Sequence, residues 1–124
     1  MTIFIFSCNN IKQIDKEKQD GKSIDEIAKQ IYKKDYKIIY NPGKLYALVT
    51  QRELNSTKLI PDLKFFVYSI KKQNIIFSDT LYSGKVIWLS PETIKAFEYN
   101  NKAKLSLKRY YIYDVKHEKY ITDF

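Results

Sequence analysis

The stretch SIDEIAKQIYKK, residues 23–34, decides the fold because it is the clearest helix signal in the chain. Ser23 can cap the helix by accepting a hydrogen bond from a backbone N–H of the first turn. Glu26 can reach back to the N–H of Ser23 itself. Apolar residues then recur at the spacing of one helix face: Ile24, Ile27, Ala28, Ile31 and Tyr32. The spacing predicts a helix over 23–34, which needs an apolar surface to lie on.

The segments before this helix predict one strand and one loop. Residues 2–7 are β-branched and aromatic with a continuous apolar run, which is typical of a buried strand. Residues 9–22 are mostly polar and charged, so we expect them to form a loop.

Strand patterns dominate the middle of the chain. Proline followed by glycine in Asn41-Pro42-Gly43 favours a type II turn. Residues 51–62 are interpreted as a connection, since Pro61 cannot donate to a central ladder. Two hairpins are therefore predicted: 37–40 with 44–50, and 64–70 with 74–78 across the turn 71–73.

The C-terminal third predicts a short strand at 85–89, a second helix and a long strand. Ser90-Pro91-Glu92 has the order of a helix start, namely a cap, a proline and an acid, so a helix is predicted over about 91–99. Residues 105–115 alternate between apolar and polar. Arg109 and Ile112 break that alternation, which indicates a bulge or a two-sided environment there.

These elements predict an α+β fold: a mainly antiparallel β-sheet with two helices, at about 23–34 and 91–99, packed against it. At 124 residues, the chain is expected to form a single domain over 1–124.

The net charge favours a polyanionic partner. Lysine and arginine number 22 against 14 acids, which gives a formal charge of +8. Only Arg52 and Arg109 are arginines, and bidentate readout of guanine depends mainly on the arginine fork. We therefore expect contact with an RNA backbone rather than readout of its sequence.

Cys8 is the sole cysteine, which excludes an intramolecular disulfide and a zinc site built on several cysteines. The sequence IFSCNN at 5–10 resembles the end of a bacterial lipoprotein signal with Cys8 as the lipidated residue. The preceding residues lack a basic region and a long apolar segment, so a first strand is favoured. No apolar run approaches the roughly 20 residues of a membrane helix. We expect a cytoplasmic protein without a membrane partner.

Catalytic motifs are missing from the sequence. His117 is the only histidine, and a thiol dyad with Cys8 would require the first and last strands to be adjacent. Three glycines supply no phosphate-binding loop, and no acidic or histidine pair has metal-ligand spacing. We therefore predict no catalytic residue, no cofactor and no metal.

Basic residues interleaved with tyrosines between 102 and 119 form the predicted binding site. Tyrosine rings can stack on unpaired bases while lysines follow the phosphates. The alternative is a solvated edge strand, on which lysine prevents aggregation. The residues predicted to bind nucleic acid or a partner are Lys102, Lys104, Lys108, Arg109, Tyr110, Lys116 and Lys119.

In size, charge and lack of catalytic residues, the chain resembles the small phage-encoded anti-CRISPR proteins. The resemblance implies that the partner is RNA or a protein–RNA complex, and it transfers no site residue. The chain is also similar in length, charge and fold class to RelE-type toxin ribonucleases, for which the candidate residues are Arg52, Arg109, Tyr110 and Tyr111. A lipoprotein or secreted interaction domain is the third hypothesis.

Overall fold

A computed structural model describes residues 23–100 and 106–123, which form one helix and eight strands. The predicted strand 2–7, the predicted loop 9–22, Cys8, Lys102 and Lys104 lie outside these ranges. The elements are α1 (Ile24–Tyr32), β1 (Tyr36–Tyr40), β2 (Tyr46–Arg52), β3 (Leu63–Ser69), β4 (Asn74–Leu81), β5 (Gly84–Ser90), β6 (Thr93–Asn100), β7 (Ser106–Asp114) and β8 (Lys119–Asp123).

The predicted first helix and its capping box are confirmed. The Glu26 N–H donates to Ser23 Oγ at 3.2 Å, and the Ser23 N–H donates to Glu26 Oε1 at 2.9 Å. The helix ends at Tyr32, because Lys33 has a positive φ of 70°. The buried face is narrower than predicted, since Ile31 remains 42% exposed.

The strands form two four-stranded antiparallel meanders rather than one sheet. Sheet A has the order β1-β2-β3-β4, and sheet B has the order β5-β6-β7-β8. Both predicted hairpins are confirmed, because β1 pairs with β2 and β3 pairs with β4. The predicted strands 85–89 and 105–115 correspond to β5 and β7, whereas β8 was not predicted.

The predicted second helix, 91–99, is wrong. Residues 93–100 form β6, which pairs with β5 on one side and β7 on the other. The Ser90 hydroxyl shares a hydrogen bond of 2.7 Å with that of Thr93, so the apparent helix cap stabilises a tight turn instead. Ile94, Ala96 and Glu98 are buried in alternation, which is the period of a strand.

The sheets pack face to face, and α1 covers the opposite face of sheet A. The core between the sheets includes Leu48, Phe65 and Val67 from sheet A with Ile94 and Tyr111 from sheet B. A second cluster joins α1 to the other face of sheet A: Ile24, Ile27, Ala28, Ala47, Val49, Phe66 and Tyr68. The described chain therefore has three layers in the order helix, sheet A, sheet B.

Polar contacts fix the sheets against each other at the β1–β5 side. The Trp88 indole N–H donates to the Ile39 carbonyl at 2.9 Å, and the buried Asn41 amide donates to the Pro91 carbonyl at 2.7 Å. Gly84 begins β5 where a Cβ atom would collide with the Phe97 carbonyl of β6. Only glycine permits this close approach of the two backbones.

Candidate nucleic-acid interface

The outward side of sheet B carries aromatic and basic side chains at matching positions of neighbouring strands. Lys85 of β5 pairs with Phe97 of β6, and Phe97 pairs with Tyr110 of β7. Cross-strand partners share one face of a sheet, and none of these three residues belongs to either core cluster. We call this surface the outer face of sheet B; its residues are Lys85, Ile87, Lys95, Phe97, Tyr99, Leu107, Tyr110 and Ile112.

Three half-buried rings form the centre of this face, and we refer to them as the aromatic trio: Phe97, Tyr99 and Tyr110. The ring centroids of Phe97 and Tyr99 are 6.3 Å apart, with an interplanar angle of 16°. The centroid of Tyr110 lies 6.5 Å from that of Phe97. Alternation along β6 places Phe97 and Tyr99 on the same side, and strand pairing adds Tyr110.

Two lysines lie over these rings. Lys95 Nζ is 4.5 Å from the ring centroid of Tyr110 and 5.1 Å from that of Phe97. Lys85 Nζ is 5.2 Å from the ring centroid of Phe97. These distances are typical of cation–π contacts. The lysines therefore place positive charge beside the rings. Glu98, on the same strand as Lys95, is buried on the inner side of the sheet.

The predicted irregularity in β7 is confirmed as a bulge. Glu98 pairs with Arg109 and Tyr99 pairs with Leu107, so Lys108 is the additional residue on β7. Arg109 Nε donates to Glu98 Oε1 at 2.7 Å on the inner side of the sheet. Glu98 Oε2 also accepts from the Tyr82 N–H at 2.8 Å. The guanidinium of Arg109 is thus bound to a carboxylate of the protein.

The predicted site residues are spread over several surfaces. Tyr110 lies on the outer face of sheet B, and exposed Lys108 lies at the bulge beside it. Lys116 is in the β7–β8 turn, with Nζ 3.7 Å from Glu92 Oε2, and Lys119 begins β8 opposite Asp114. Of the predicted residues within the described ranges, only Tyr110 belongs to the aromatic trio.

Four aromatic or basic residues of this surface were not predicted from the sequence: Lys85, Lys95, Phe97 and Tyr99. Three of them lie in β6, which overlaps the predicted helix 91–99; in a helix, Ile94 and Phe97 are three residues apart and would share one face. Strand alternation instead separates these two residues onto opposite faces. The signal that could have found the site is the run TIKAFEY at 93–99, whose alternate positions carry Lys95, Phe97 and Tyr99.

His117 lies at an exposed turn. Its Nδ1 is 2.8 Å from Asp114 Oδ2, while Asp114 Oδ1 accepts from the backbone N–H groups of Lys116 and His117 at 2.9 and 3.0 Å. The backbone hydrogen bond from His117 is the largest influence lowering the pKa of Asp114. The pair therefore closes the β7–β8 turn, and the cysteine of the possible dyad, Cys8, is outside the described residues.

The residues expected for a RelE-type ribonuclease do not lie on one surface. Tyr110 is on the outer face of sheet B, whereas Tyr111 is buried and donates from its hydroxyl to Asp79 Oδ2 at 2.6 Å. Burial, followed by this hydrogen bond, raises the pKa of Tyr111. Arg52 belongs to β2 of sheet A, and Arg109 is bound to Glu98.

Within residues 23–100 and 106–123, no helix is long and apolar enough to cross a membrane. The same ranges contain no group of three or more His, Cys, Asp or Glu residues arranged to hold a metal ion. No protein-family model, curated protein or solved structure matches the chain.

Proposed function

We propose that this protein is a non-catalytic binding protein that docks on single-stranded RNA through the outer face of sheet B. The observation that carries the proposal is the aromatic trio with two lysines over its rings. One common type of RNA-binding domain uses the exposed aromatic side chains of a four-stranded sheet to stack two or three unpaired bases in this manner. The ring supplies the stacking surface, and the lysine ammonium groups are available to the phosphates between successive bases.

The chemistry of the face favours binding without sequence readout. Its cations are Lys85 and Lys95, which act as point charges and lack the bidentate fork that selects guanine. Arg109, which has that fork, donates to Glu98 in the inner layer of the sheet. Stacking tolerates all bases because each base has a π-face. We therefore expect comparable affinity for strands of different sequence.

Apolar side chains at the edges of the outer face of sheet B favour a partner that contains protein as well as RNA. Ile87, Leu89 and Leu107 are each exposed by 43% or more. An exposed apolar margin beside a basic centre fits a ribonucleoprotein surface as well as a bare strand. The resemblance to anti-CRISPR proteins, whose targets contain RNA, stays a prediction and is consistent with such a partner.

The test is binding of a fluorescent oligouridine strand to wild type and to two ring variants, Phe97→Ala and Tyr99→Ala. Loss of one stacked ring is expected to weaken binding by about 1–3 kcal/mol. Tyr82→Ala is the matched control, because Tyr82 is exposed in the β4–β5 turn and outside this face. Circular dichroism must first show that each variant is folded.

Two results would overturn the proposal. One is equal affinity of Phe97→Ala, Tyr99→Ala and Tyr82→Ala for the strand. The other is no measurable binding by the wild-type protein at low salt, which would leave a protein surface as the partner of this face.

A further inference from the structure

On the face of sheet A that packs against sheet B, the side chains change from apolar to cationic towards the end of β2. Along β2, the side chains directed between the sheets are Leu48, then Thr50, then Arg52. On β1, Lys37 pairs with Thr50 and is therefore on the same side. A cavity of about 270 Å³ lies at this end, between sheet A and β5. We call it the sheet-end cavity; the lining residues used below are Asp35, Lys37, Thr50, Arg52 and Lys85.

Arg52 is held in place by carbonyl groups rather than by a carboxylate. Its Nη1 donates to the carbonyl of Pro61 at 2.8 Å and to that of Gly84 at 2.9 Å. Among the described residues, neither its Nε nor its Nη2 donates a hydrogen bond. The guanidinium is thus oriented by the fold and keeps donors that an incoming anion could use.

Lys37 brings a second positive charge to the cavity. Lys37 is directly opposite Thr50 and diagonal to Arg52, and diagonal neighbours are within reach of long side chains. Lys85 also lines the cavity from β5, but its ammonium group lies over the Phe97 ring on the outer face of sheet B. In the described part of the chain, neither Arg52 nor Lys37 forms an ion pair.

The charge of the cavity is therefore not balanced by protein groups. Two cations, Arg52 and Lys37, are opposed by one lining carboxylate, that of Asp35. A concave site with an excess of one sign of charge concentrates counter-ions of the opposite sign. A phosphate monoester, which carries about −1.5 to −2 charges at neutral pH, is such a counter-ion.

We propose that the sheet-end cavity is a second binding site, for a terminal phosphate group of the monoester type. Arg52 supplies planar N–H donors for the phosphate oxygens, Lys37 supplies charge, and Thr50 can supply a hydroxyl donor. The phosphate can come from a free nucleotide or from the 5′ end of an oligonucleotide. This inference stands apart from RNA docking on the outer face of sheet B, to which the Lys85 ammonium group belongs.

The probe is adenosine 5′-monophosphate, compared with adenosine at the same ionic strength. Binding is followed by the NMR shifts of the backbone amides and by the midpoint of thermal unfolding. We expect the monophosphate to shift the amides of Lys37, Thr50 and Arg52 and to raise the midpoint, and adenosine to do neither.

The variant that carries the test is Lys37→Met, because Lys37 is exposed and its side chain makes no hydrogen bond or ion pair that holds the described part of the fold. It should weaken binding of the monophosphate by about tenfold, the value of one charge-assisted contact. Arg52→Met should weaken binding further if its unfolding remains cooperative. Lys71→Met is the control, since Lys71 is an exposed lysine in the β3–β4 turn. Equal binding of adenosine and its monophosphate, or unchanged binding by Lys37→Met, would overturn the proposal.

Oligouridines with a 5′-phosphate and with a 5′-hydroxyl identify the source of the phosphate. If the protein prefers the phosphorylated strand and Lys37→Met abolishes this preference, the cavity binds the 5′ end of a strand. Monophosphate binding without such a preference assigns it to a free nucleotide. Phe97→Ala separates the two proposals, because it should weaken strand binding and leave binding of the monophosphate unchanged.

Discussion

The Tyr111 hydroxyl of sheet B donates a hydrogen bond of 2.6 Å to Asp79 Oδ2 of sheet A. Tyr111 is almost fully buried, and the other Asp79 oxygen accepts from the Thr80 N–H at 2.8 Å. The bond therefore links β7 to β4 across the interface of the sheets. Since the acceptor is a carboxylate, this hydrogen bond is charge-assisted and stronger than one between neutral groups.

Tyr111→Phe should lower the free energy of unfolding by about 1.5–3 kcal/mol, because it removes a hydrogen bond to a charged group and keeps the ring. Urea unfolding followed by circular dichroism measures the change. Tyr82→Phe removes a hydroxyl from an exposed ring and should have almost no effect. Equal midpoints for the two variants would contradict the role assigned to the Tyr111–Asp79 bond.

Glu98 and Arg109 form the second polar contact that matters for stability. The Glu98 side chain is 6% exposed and that of Arg109 is 38% exposed. Arg109→Met should cost about 2–3 kcal/mol, below the 3–5 kcal/mol of a fully buried pair because the arginine is partly solvated. In the double variant with Glu98→Gln, part of this stability should be recovered, since no unpaired carboxylate remains. Additive destabilisation in denaturant unfolding would show that the pair does not act as a unit.

Local patterns were sufficient to predict α1, both hairpins and the antiparallel character of the fold. The capping box needs only Ser23 and Glu26, three residues apart. The β1–β2 hairpin likewise has its turn signal, Asn41-Pro42-Gly43, in the sequence. Asn41 adds a contact that sequence could not show, because its side chain donates to Pro91, fifty positions away.

The sequence-based predictions were wrong where one local sequence pattern is compatible with two different structures. Ser90, Pro91 and Glu92 can start a helix or form a tight turn, and pairing of β6 with β5 and β7 selects the turn. Tertiary pairing often overrides such a local preference. The predicted binding site differs from the aromatic trio for the same reason, since Phe97 and Tyr99 share a face only when 93–100 is a strand. Arg109 was correctly predicted to lie at an irregular position of its strand. Its pairing with Glu98 could not be predicted, because that pairing depends on the position of the bulge.

Asp114 should make stability depend on pH in the acidic range. Its folded-state pKa is lowered from the ordinary 3.8, mainly by the backbone hydrogen bond from His117. A lowered pKa contributes stability above the ordinary value, and this stability is lost as the pH falls through the folded-state value. Asp114→Asn should thus be less stable than wild type at pH 7, and the difference should shrink below about pH 4. Urea unfolding at both pH values tests this, and a difference independent of pH would contradict it.

The helix cap gives a prediction about local stability. Ser23→Ala removes the acceptor for the Glu26 N–H and should cost about 1 kcal/mol. Ile27→Ala should cost more, about 2–5 kcal/mol, because Ile27 is fully buried between α1 and sheet A. Exposed Lys29 on the same helix provides the control, Lys29→Ala. The assay is chemical denaturation, and similar tolerance at positions 27 and 29 would contradict the packing of this helix face.

The salt dependence of RNA binding distinguishes the lysines on the outer face of sheet B from the predicted binding residues at the β7–β8 turn and the start of β8. Lys85→Gln/Lys95→Gln removes two lysines beside the aromatic trio, and Lys116→Gln/Lys119→Gln removes two from the β7–β8 turn and the start of β8. Both variants lower the net charge by the same amount, so non-specific attraction should fall equally in both. The slope of log affinity against log salt changes by about 0.7 for each phosphate of a single strand that a lysine no longer neutralises.

We therefore expect the slope to flatten by about 1.4 in the outer-face variant and to change much less in the turn variant. Phe97→Ala should weaken binding at every salt concentration without altering the slope, because stacking releases no counter-ion. Titrations of a labelled oligouridine strand at several salt concentrations provide all three values. If the slope flattens as much in the turn variant as in the outer-face variant, the lysines act through net charge alone. Lys85 and Lys95 would then make no phosphate contacts of their own.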